Sequence, residues 1–211
     1  MQNKSNIPYR LAIRVTVGLA ALTLAFLLCK GKNGSFMWVN ERNSPVLDTL
    51  FTYITYLGDG VMWVPLGIYC LIFNRRFTLT VIVAILLSTA FTHIFKQLIW
   101  PHALRPASLQ DAGLSLHFVD GIKINRIRSF PSGHTGQAFT MALLIAYLVN
   151  RKYWGWILPL LAFAVGYSRI YLSQHFVSDV LGGMAVGLLT AVICIWGWRK
   201  WEVGNKGWEK K

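Results

Sequence analysis

Acidic residues and cysteine are both scarce in this sequence. The 211 residues include 8 Asp and Glu against 21 Lys and Arg, and charged residues make up only 14% of the chain. With so few carboxylates there is no cluster suited to Mg²⁺, and we expect no metal ion and no other cofactor. The 3 cysteines fall inside or at the ends of apolar segments, so the sequence has neither a disulfide framework nor a zinc-type spacing.

Apolar residues are abundant and come in long blocks. They make up 55% of the chain, and the blocks approach the roughly 17 to 25 residues with which a helix crosses a bilayer. The net charge of +13 is scattered between these blocks and forms no basic stripe, which argues against a nucleic-acid partner. The sequence therefore indicates a polytopic membrane protein in contact with anionic lipid.

The pattern predicts an all-α integral membrane protein with six transmembrane helices in a single domain, residues 1–211. An amphipathic, aromatic segment at 45–57 follows a polar turn region at 31–44 and predicts an interfacial helix before the second span. Residues 100–130 form a long polar loop between spans three and four, and loops of that length are usually functional or disordered. The predicted spans are residues 11–29, 61–73, 77–99, 134–150, 153–171 and 176–198.

Six spans place both termini on one side of the membrane, and basic residues indicate which side. Twelve Lys and Arg lie on the side of the termini and nine on the other, and Lys and Arg are enriched in cytoplasmic loops. We expect a protein of the cytoplasmic (inner) membrane with cytoplasmic termini. The long loop, and any site built on it, would face the extracytoplasmic side.

Two residues near the start of the sixth span carry a chemical pattern. His175 and Asp179 are four positions apart, so both would lie on one face of a helix. A carboxylate there can fix the tautomer of the imidazole and leave the other ring nitrogen free to attack. By themselves the two residues could equally be a histidine at a helix entry with a capping aspartate, but Arg169, six positions upstream, favours a site.

A second pattern opens the fourth span at Pro131-Ser132-Gly133-His134. A helix N-terminus attracts phosphate through its free N–H groups. Ser132 can add a hydroxyl donor, Gly133 permits close approach of the backbone, and His134 can give a proton to a leaving oxygen. An ordinary N-cap would explain the Ser-Gly pair alone, but not the whole set.

Cations complete the predicted phosphate site. Lys96, Arg105 and Arg169 would all lie near the outer ends of spans, and guanidinium groups bind phosphate oxygens in pairs. For Lys96 alone, charge compensation at a helix C-terminus or snorkelling is an equally good interpretation. Lys123, Arg126 and Arg128 in the outer loop either contact a second phosphate or acidic headgroup, or are solvated charges near anionic lipid.

Together these patterns resemble the three-part signature of the type 2 phosphatidic acid phosphatase (PAP2) superfamily, which includes bacterial lipid phosphatases and diphosphatases, glucose-6-phosphatase and vanadium haloperoxidases. The second and third motifs, Pro131-Ser132-Gly133-His134 and Ser168-Arg169-x5-His175-x3-Asp179, match fully. The first motif departs: the usual spacing is Lys-x6-Arg-Pro, whereas eight residues separate Lys96 from Arg105.

The resemblance implies a nucleophilic His175 oriented by Asp179, a phosphohistidine intermediate, and His134 as the acid for the leaving group. Lys96, Arg105, Ser132, Gly133 and Arg169 would hold the phosphoryl oxygens. The predicted function is hydrolysis of a lipid phosphomonoester or diphosphate, such as undecaprenyl diphosphate, phosphatidylglycerol phosphate, phosphatidic acid or a lipid A phosphate. The alternatives are a lipid phosphotransferase on the same scaffold and a membrane protein that binds or transports a lipid phosphate without catalysis. The sequence does not indicate an oligomeric state.

Overall fold

The structure, a computed structural model, describes residues 6–149 and 151–208. That part of the chain forms seven α helices and no β strand, which confirms the all-α prediction. In chain order they are α1 (Ile7–Asn40), α2 (Pro45–Ile54), α3 (Trp63–Phe73), α4 (Arg75–His93), α5 (Gly133–Leu148), α6 (Trp154–Tyr171) and α7 (Val177–Trp208). Lys4, Asn150 and residues 209–211, which entered the predicted spans and the charge count, lie outside the described residues.

Several helices have the length and apolarity of membrane spans. Ile7–Asn40, Arg75–Ile99 and Val177–Gly204 each qualify alone, and Pro45–Gly58 with Gly60–Phe73 would make a fourth crossing bent by 55°. The remaining helices, α5 and α6, have only 16 and 18 residues. The protein is thus an integral membrane protein. The arrangement of six spans stays a prediction.

The first helix extends beyond its predicted end. A turn was expected at residues 31–44, but α1 kinks at Gly31 (φ 68°, ψ 174°) and then continues as helix to Asn40. Glycine tolerates this left-handed φ, so the chain changes direction without ending the helix. The continuation is stabilised by burial, because Phe36 is fully buried against Phe176 with ring centroids 5.6 Å apart.

The segment predicted as an interfacial helix is helical but interrupted. Ser44 caps α2 by accepting a hydrogen bond from the Leu47 N–H, and short 3₁₀ turns at Thr55–Gly58 and Gly60–Met62 join α2 to α3. Asp59, which lies between these two turns, makes no side-chain capping bond. Whether α2 lies on the membrane surface stays a prediction.

The centre of the structure is the contact between α5 and α7. The sequence predicts close helix packing at Gly183 and Gly187, because small residues four apart let helix backbones approach. A Cβ at Gly183 would lie 2.6 Å from the Ser132 carbonyl oxygen, and one at Gly187 would lie 2.7 Å from that of Gly136. The two backbones therefore touch along α5, and this contact fixes where α5 begins.

The long polar segment after α4 is irregular but well anchored. Its one helical piece is the 3₁₀ turn Pro106–Gln110. The Arg105 N–H donates to the Arg126 carbonyl at 2.9 Å, and the Ser129 N–H donates to that of Ala103 at 3.0 Å. These bonds hold the two ends of the segment side by side, next to the start of α5.

Candidate active site

His175 lies in the short connection between α6 and α7, and not inside a helix as its spacing to Asp179 suggested. The structure starts α7 at Val177, two residues later. His175 Nδ1 is nevertheless 3.3 Å from Asp179 Oδ2, and the two side chains are 2% and 4% exposed. With Nδ1 donating to the carboxylate, Nε2 carries the lone pair.

The Asp179 carboxylate is held by more groups than the sequence indicated. Its Oδ2 also accepts a hydrogen bond from the Phe176 N–H at 2.9 Å and one from the Ser129 hydroxyl. Ser129 is 1% exposed. Sequence reasoning missed this residue as a functional one, although it stands in the same Ser-Phe-Pro-Ser-Gly-His stretch as the second motif.

Arg169 is joined to His175 through the backbone. Its carbonyl accepts hydrogen bonds from the N–H groups of Gln174 at 3.0 Å and His175 at 3.1 Å. The connection turns at Ser173, which has a left-handed φ of 57°. The end of α6 therefore places the imidazole next to a guanidinium group, which explains the spacing of the third motif.

The Arg169 side chain is anchored by a residue that the sequence did not single out. Nη1 donates to Thr55 Oγ1 at 2.8 Å, and Thr55 is 6% exposed in the turn after α2. Nε of Arg169 is buried without a partner among the described residues. An unpaired cationic N–H group in a polar site can bind an anionic ligand.

Ser132 is the N-cap of α5, as the ordinary interpretation of the Ser-Gly pair required. Its Oγ accepts from the Thr135 N–H at 3.4 Å and the Thr135 hydroxyl at 2.8 Å. Both lone pairs are thereby used, so the Ser132 hydroxyl hydrogen remains available for a ligand. The Ser132 N–H donates to the Asp179 carbonyl at 2.9 Å, which ties the second motif to the third.

His134 is the second residue of α5 and is half-buried, one position after the half-buried Gly133. The turn after α2 packs directly on it, because a Cβ at Gly58 would lie 2.8 Å from the His134 carbonyl oxygen. Arg169, Asp59, Lys96 and Arg105 are all close enough to interact electrostatically with the His134 ring. The predicted proton donor therefore shares one electrostatic environment with the three predicted cations.

Arg105 is buried, with 8% exposure, and much of its guanidinium is already bound. Nε donates to the Ile127 carbonyl at 3.0 Å, Nη1 to the Gln174 carbonyl at 2.9 Å, and Nη2 to that of Arg128 at 3.5 Å. Burial lowers the pKa of this guanidinium, and Asp179 acts in the opposite direction. Arg105 thus supplies positive charge while fixing the long loop next to His175.

Lys96 lies in the π-helical turn Ile94–Ile99 that ends the α4 segment. It lines a cavity of about 540 Å³ together with Arg105. The eight residues between them include the turn at 100–102 after the helix end, which absorbs the longer spacing. The structure therefore brings both residues of the divergent first motif to one place.

Burial lowers the pKa of His175 to about 3. Asp179 opposes this shift through its hydrogen bond and charge, while Arg105 and Arg169 add to it. The imidazole is consequently neutral at neutral pH, the state in which a histidine nitrogen is nucleophilic.

Of the other histidines, His93 lines the cavity that contains Lys96 and Arg105, whereas His102 and His117 lie elsewhere in the long loop. His93 pairs with Gln97 at 2.9 Å on α4, and His102 is exposed in the loop. His117 has Nε2 2.8 Å from Asp48 Oδ1, and its backbone pairs with the Asn40 amide. These bonds fasten the middle of the long loop to α1 and α2.

Comparisons with known proteins identify relatives of this arrangement. The PAP2 superfamily profile matches residues 77–202, which include all three motifs. Phosphatidylglycerophosphatase B of Bacillus subtilis is 30% identical over 159 residues, which are 69% of this chain and 72% of that protein. A bacitracin transport permease protein, BcrC of Bacillus licheniformis, is 44% identical over 68 residues, and this match spans only about a third (32%) of that relative's length.

Two solved structures have the same fold. The crystal structure of Aquifex aeolicus LpxE superposes with a TM-score of 0.67 at 34% identity and covers 76% of this chain and 92% of that one. A transmembrane PAP2-type phosphatidylglycerolphosphate phosphatase from Bacillus subtilis gives a TM-score of 0.60 over 88% of this chain and 96% of that one. At 24% identity, the second comparison supports the fold alone.

Proposed function

We propose that this chain, which belongs to the PAP2 superfamily, removes a phosphate group from a membrane lipid through a phosphohistidine formed on His175. Phosphatidylglycerophosphatase B among the relatives supports the reaction class. The observation that carries the proposal is the buried pair of His175 and Asp179, placed beside Arg169 by the end of α6. The substrate is one of four lipids: undecaprenyl diphosphate, phosphatidylglycerol phosphate, phosphatidic acid or a lipid A phosphate.

In the first step, Nε2 of His175 attacks the phosphorus atom and the bond from phosphorus to the lipid oxygen breaks. The departing oxygen takes a proton from His134, so it leaves as a hydroxyl group of the lipid product, or on a lipid monophosphate when the substrate is a diphosphate. Asp179 keeps the Nδ1 proton of His175 in place and stabilises the positive charge that the ring gains. The product of this step is phosphohistidine.

In the second step, water attacks the phosphorus atom of phosphohistidine. His134, now neutral, accepts a proton from this water, and the bond between phosphorus and Nε2 breaks. Orthophosphate leaves, and both histidines return to their starting protonation states. His134 thus serves as acid in the first step and as base in the second.

Fixed donors bind the transferring phosphoryl group. Arg169 offers its buried, unpaired Nε, Ser132 offers its hydroxyl hydrogen, and the N-terminus of α5 at Gly133 offers backbone N–H groups. Lys96 and Arg105 add positive charge at the same place. Such prearranged donors stabilise the charge that develops in the transition state, and we propose that the reaction needs no metal ion.

The site belongs at the membrane surface. We propose the six-span arrangement with cytoplasmic termini and an extracytoplasmic active site, on the distribution of Lys and Arg. A site at the ends of the helices lets the headgroup of the substrate reach His175 while its hydrocarbon tail stays in the bilayer.

A phosphate-release assay tests the proposal. Purified protein in detergent with EDTA is given each of the four lipids, and His175→Ala is compared with the wild type. We expect release from at least one lipid and loss of release in His175→Ala, whereas His102→Ala, in the exposed loop, serves as the matched control. Absence of release from every lipid, or full activity in His175→Ala, would contradict the proposal.

A further inference from the structure

The cavity that contains Lys96 and Arg105 extends beyond the residues used for one phosphate group. It has a volume of about 540 Å³ and is open to the outside of the protein. Its wall is built from the end of α4, the π-helical turn that follows and both ends of the long loop, and consists of His93, Lys96, Gln97, Arg105, Asn125, Arg126, Ile127 and Arg128. Seven of these eight side chains are polar, so the cavity does not suit a hydrocarbon tail.

The charge of this wall exceeds what a single phosphate requires. Four of its side chains are Lys or Arg, and none of the eight is a carboxylate. A phosphomonoester carries at most two negative charges, and Lys96, Arg105 and Arg169 already offset these. Arg126 and Arg128 are therefore additional cations, and additional cations in a cavity favour an additional anionic group.

The two additional arginines are held at a defined place. The Arg126 carbonyl accepts from the Arg105 N–H at 2.9 Å, and the carbonyls of Ile127 and Arg128 accept from the Arg105 side chain. Arg126 also pairs with Asp111 at 2.7 Å, but both side chains are more than half exposed, and such surface pairs contribute little stability. The Arg128 side chain makes no hydrogen bond or ion pair with the described part of the chain.

We propose that this cavity binds a second phosphate group of the substrate headgroup, held by Arg126 and Arg128, while the first is attacked by His175. The preferred substrate is then a lipid with two phosphates, either adjacent as in a diphosphate or separated as in phosphatidylglycerol phosphate. This inference rests on the proposed function and selects among its substrates. Guanidinium groups suit the task because they bind phosphate oxygens through two parallel hydrogen bonds.

Matched pairs of substrates test the inference. A prenyl diphosphate is compared with the monophosphate of the same prenyl alcohol, and phosphatidylglycerol phosphate with phosphatidic acid of the same acyl chains. We expect kcat/KM to be at least about tenfold higher for the two-phosphate member, since charged hydrogen bonds contribute that much or more. If only the prenyl pair shows a preference, the cavity binds the second of two adjacent phosphates. If only the phosphatidyl pair shows one, it binds a phosphate separated from the first.

Substitutions connect this preference to the cavity. In the double variant Arg126→Gln/Arg128→Gln, and to a smaller extent in Arg126→Gln alone, the ratio of the two kcat/KM values should fall about tenfold. Lys123→Gln is the matched control, because Lys123 lies in the same loop and loses the same charge but does not line the cavity. Its ratio should stay equal to that of the wild type.

Inhibition of the wild type provides a readout that does not depend on the folding of a variant. Inorganic pyrophosphate should inhibit at a concentration about tenfold lower than orthophosphate does. The inference is wrong if neither substrate pair shows a preference, or if the double variant loses activity equally on both members of a pair. Failure of the proposed function looks different, because the wild type would then release no phosphate from any of the four substrates.

Discussion

Arg169 and Thr55, separated by 114 positions in the chain, are joined by a 2.8 Å hydrogen bond from Nη1 to Oγ1. The turn that carries Thr55 also touches His134 and Val165 through Gly58. One short turn from the segment between α2 and α3 therefore supports a predicted phosphate-binding cation and the predicted proton donor together. Thr55 acts through Arg169, as a positioning residue.

Thr55→Val tests this support, because valine keeps the shape of threonine and removes the hydroxyl. Loss of an acceptor for a buried charged donor costs about 1.5 to 3 kcal/mol, so we expect kcat/KM to fall at least about tenfold. Inhibition by orthophosphate should weaken as well, since Arg169 would lose its orientation. Steady-state kinetics and inhibition constants measure both effects.

Thr55→Ser is the matched variant, because it keeps the hydroxyl and should retain most of the activity. Thr49→Val, at an exposed position of α2, controls for the loss of a threonine hydroxyl elsewhere. Equal activities in Thr55→Val and Thr55→Ser would mean that the bond to Arg169 has no catalytic importance.

Removal of the Ser129 hydroxyl should disturb His175, the proposed nucleophile. Ser129→Ala leaves Asp179 with two donors in place of three, and the carboxylate then holds the His175 ring less firmly. We expect kcat to fall about tenfold, the effect of one hydrogen bond to a charged group, with little change in KM. Ser115→Ala, at an exposed position in the long loop, should behave as the wild type, and a Ser129→Ala enzyme with an unchanged kcat would refute the prediction.

The contact between α5 and α7 predicts a difference between two glycines of one helix. A Cβ at Gly183 would lie 2.6 Å from the Ser132 carbonyl oxygen and 2.8 Å from Thr135 Cβ, whereas one at Gly197 has nothing within 4 Å. Gly183→Ala should therefore destabilise the fold by about 1 to 3 kcal/mol or more, as overpacking does. Gly197→Ala should leave stability unchanged or raise it by up to about 1 kcal/mol, because alanine is the better helix former.

Thermal unfolding in detergent measures both variants, and phosphate release reports on the start of α5. A midpoint for Gly183→Ala equal to that for Gly197→Ala would show that the two helices can separate without penalty.

Acidification should destabilise the protein partly through His175. Its pKa is about 3 in the folded state, against about 6.5 in an unfolded chain. Between these values the unfolded state binds a proton that the folded state does not, so stability is complete above about pH 6.5 and falls as the pH drops toward 3. His175→Gln removes this titration, and its unfolding midpoint should fall less than that of the wild type between pH 7.5 and pH 4.5. Equal decreases in the two proteins would contradict a buried neutral His175.

The sequence was sufficient to predict the superfamily and the convergence of the motif residues. Placing Lys96, Ser132 and His175 at the ends of apolar segments brings them to one side of a helical bundle, whatever the details of packing. The family match confirms the superfamily, and the structure places these residues together.

Other features could not be predicted, for different physical reasons. The bond from Arg169 to Thr55 joins distant segments, and no local spacing indicates it. Polar residues follow Gly31, so the sequence predicts the end of the first span at residue 29, where the structure has a kink two residues later and then more helix. The buried residues Val39 and Asn40 stand three and four positions after the buried Phe36. This spacing is typical of one face of a helix and could have revealed the continued helix.

Asp179 serves two motifs through two different groups. Its carboxylate holds His175, and its carbonyl accepts from the N–H of Ser132, the cap of α5. The proposed nucleophile and the proposed phosphate-binding turn are consequently held together by hydrogen bonds within the chain itself. Because substrate binding does not have to order these groups, its binding free energy remains available to stabilise the transition state.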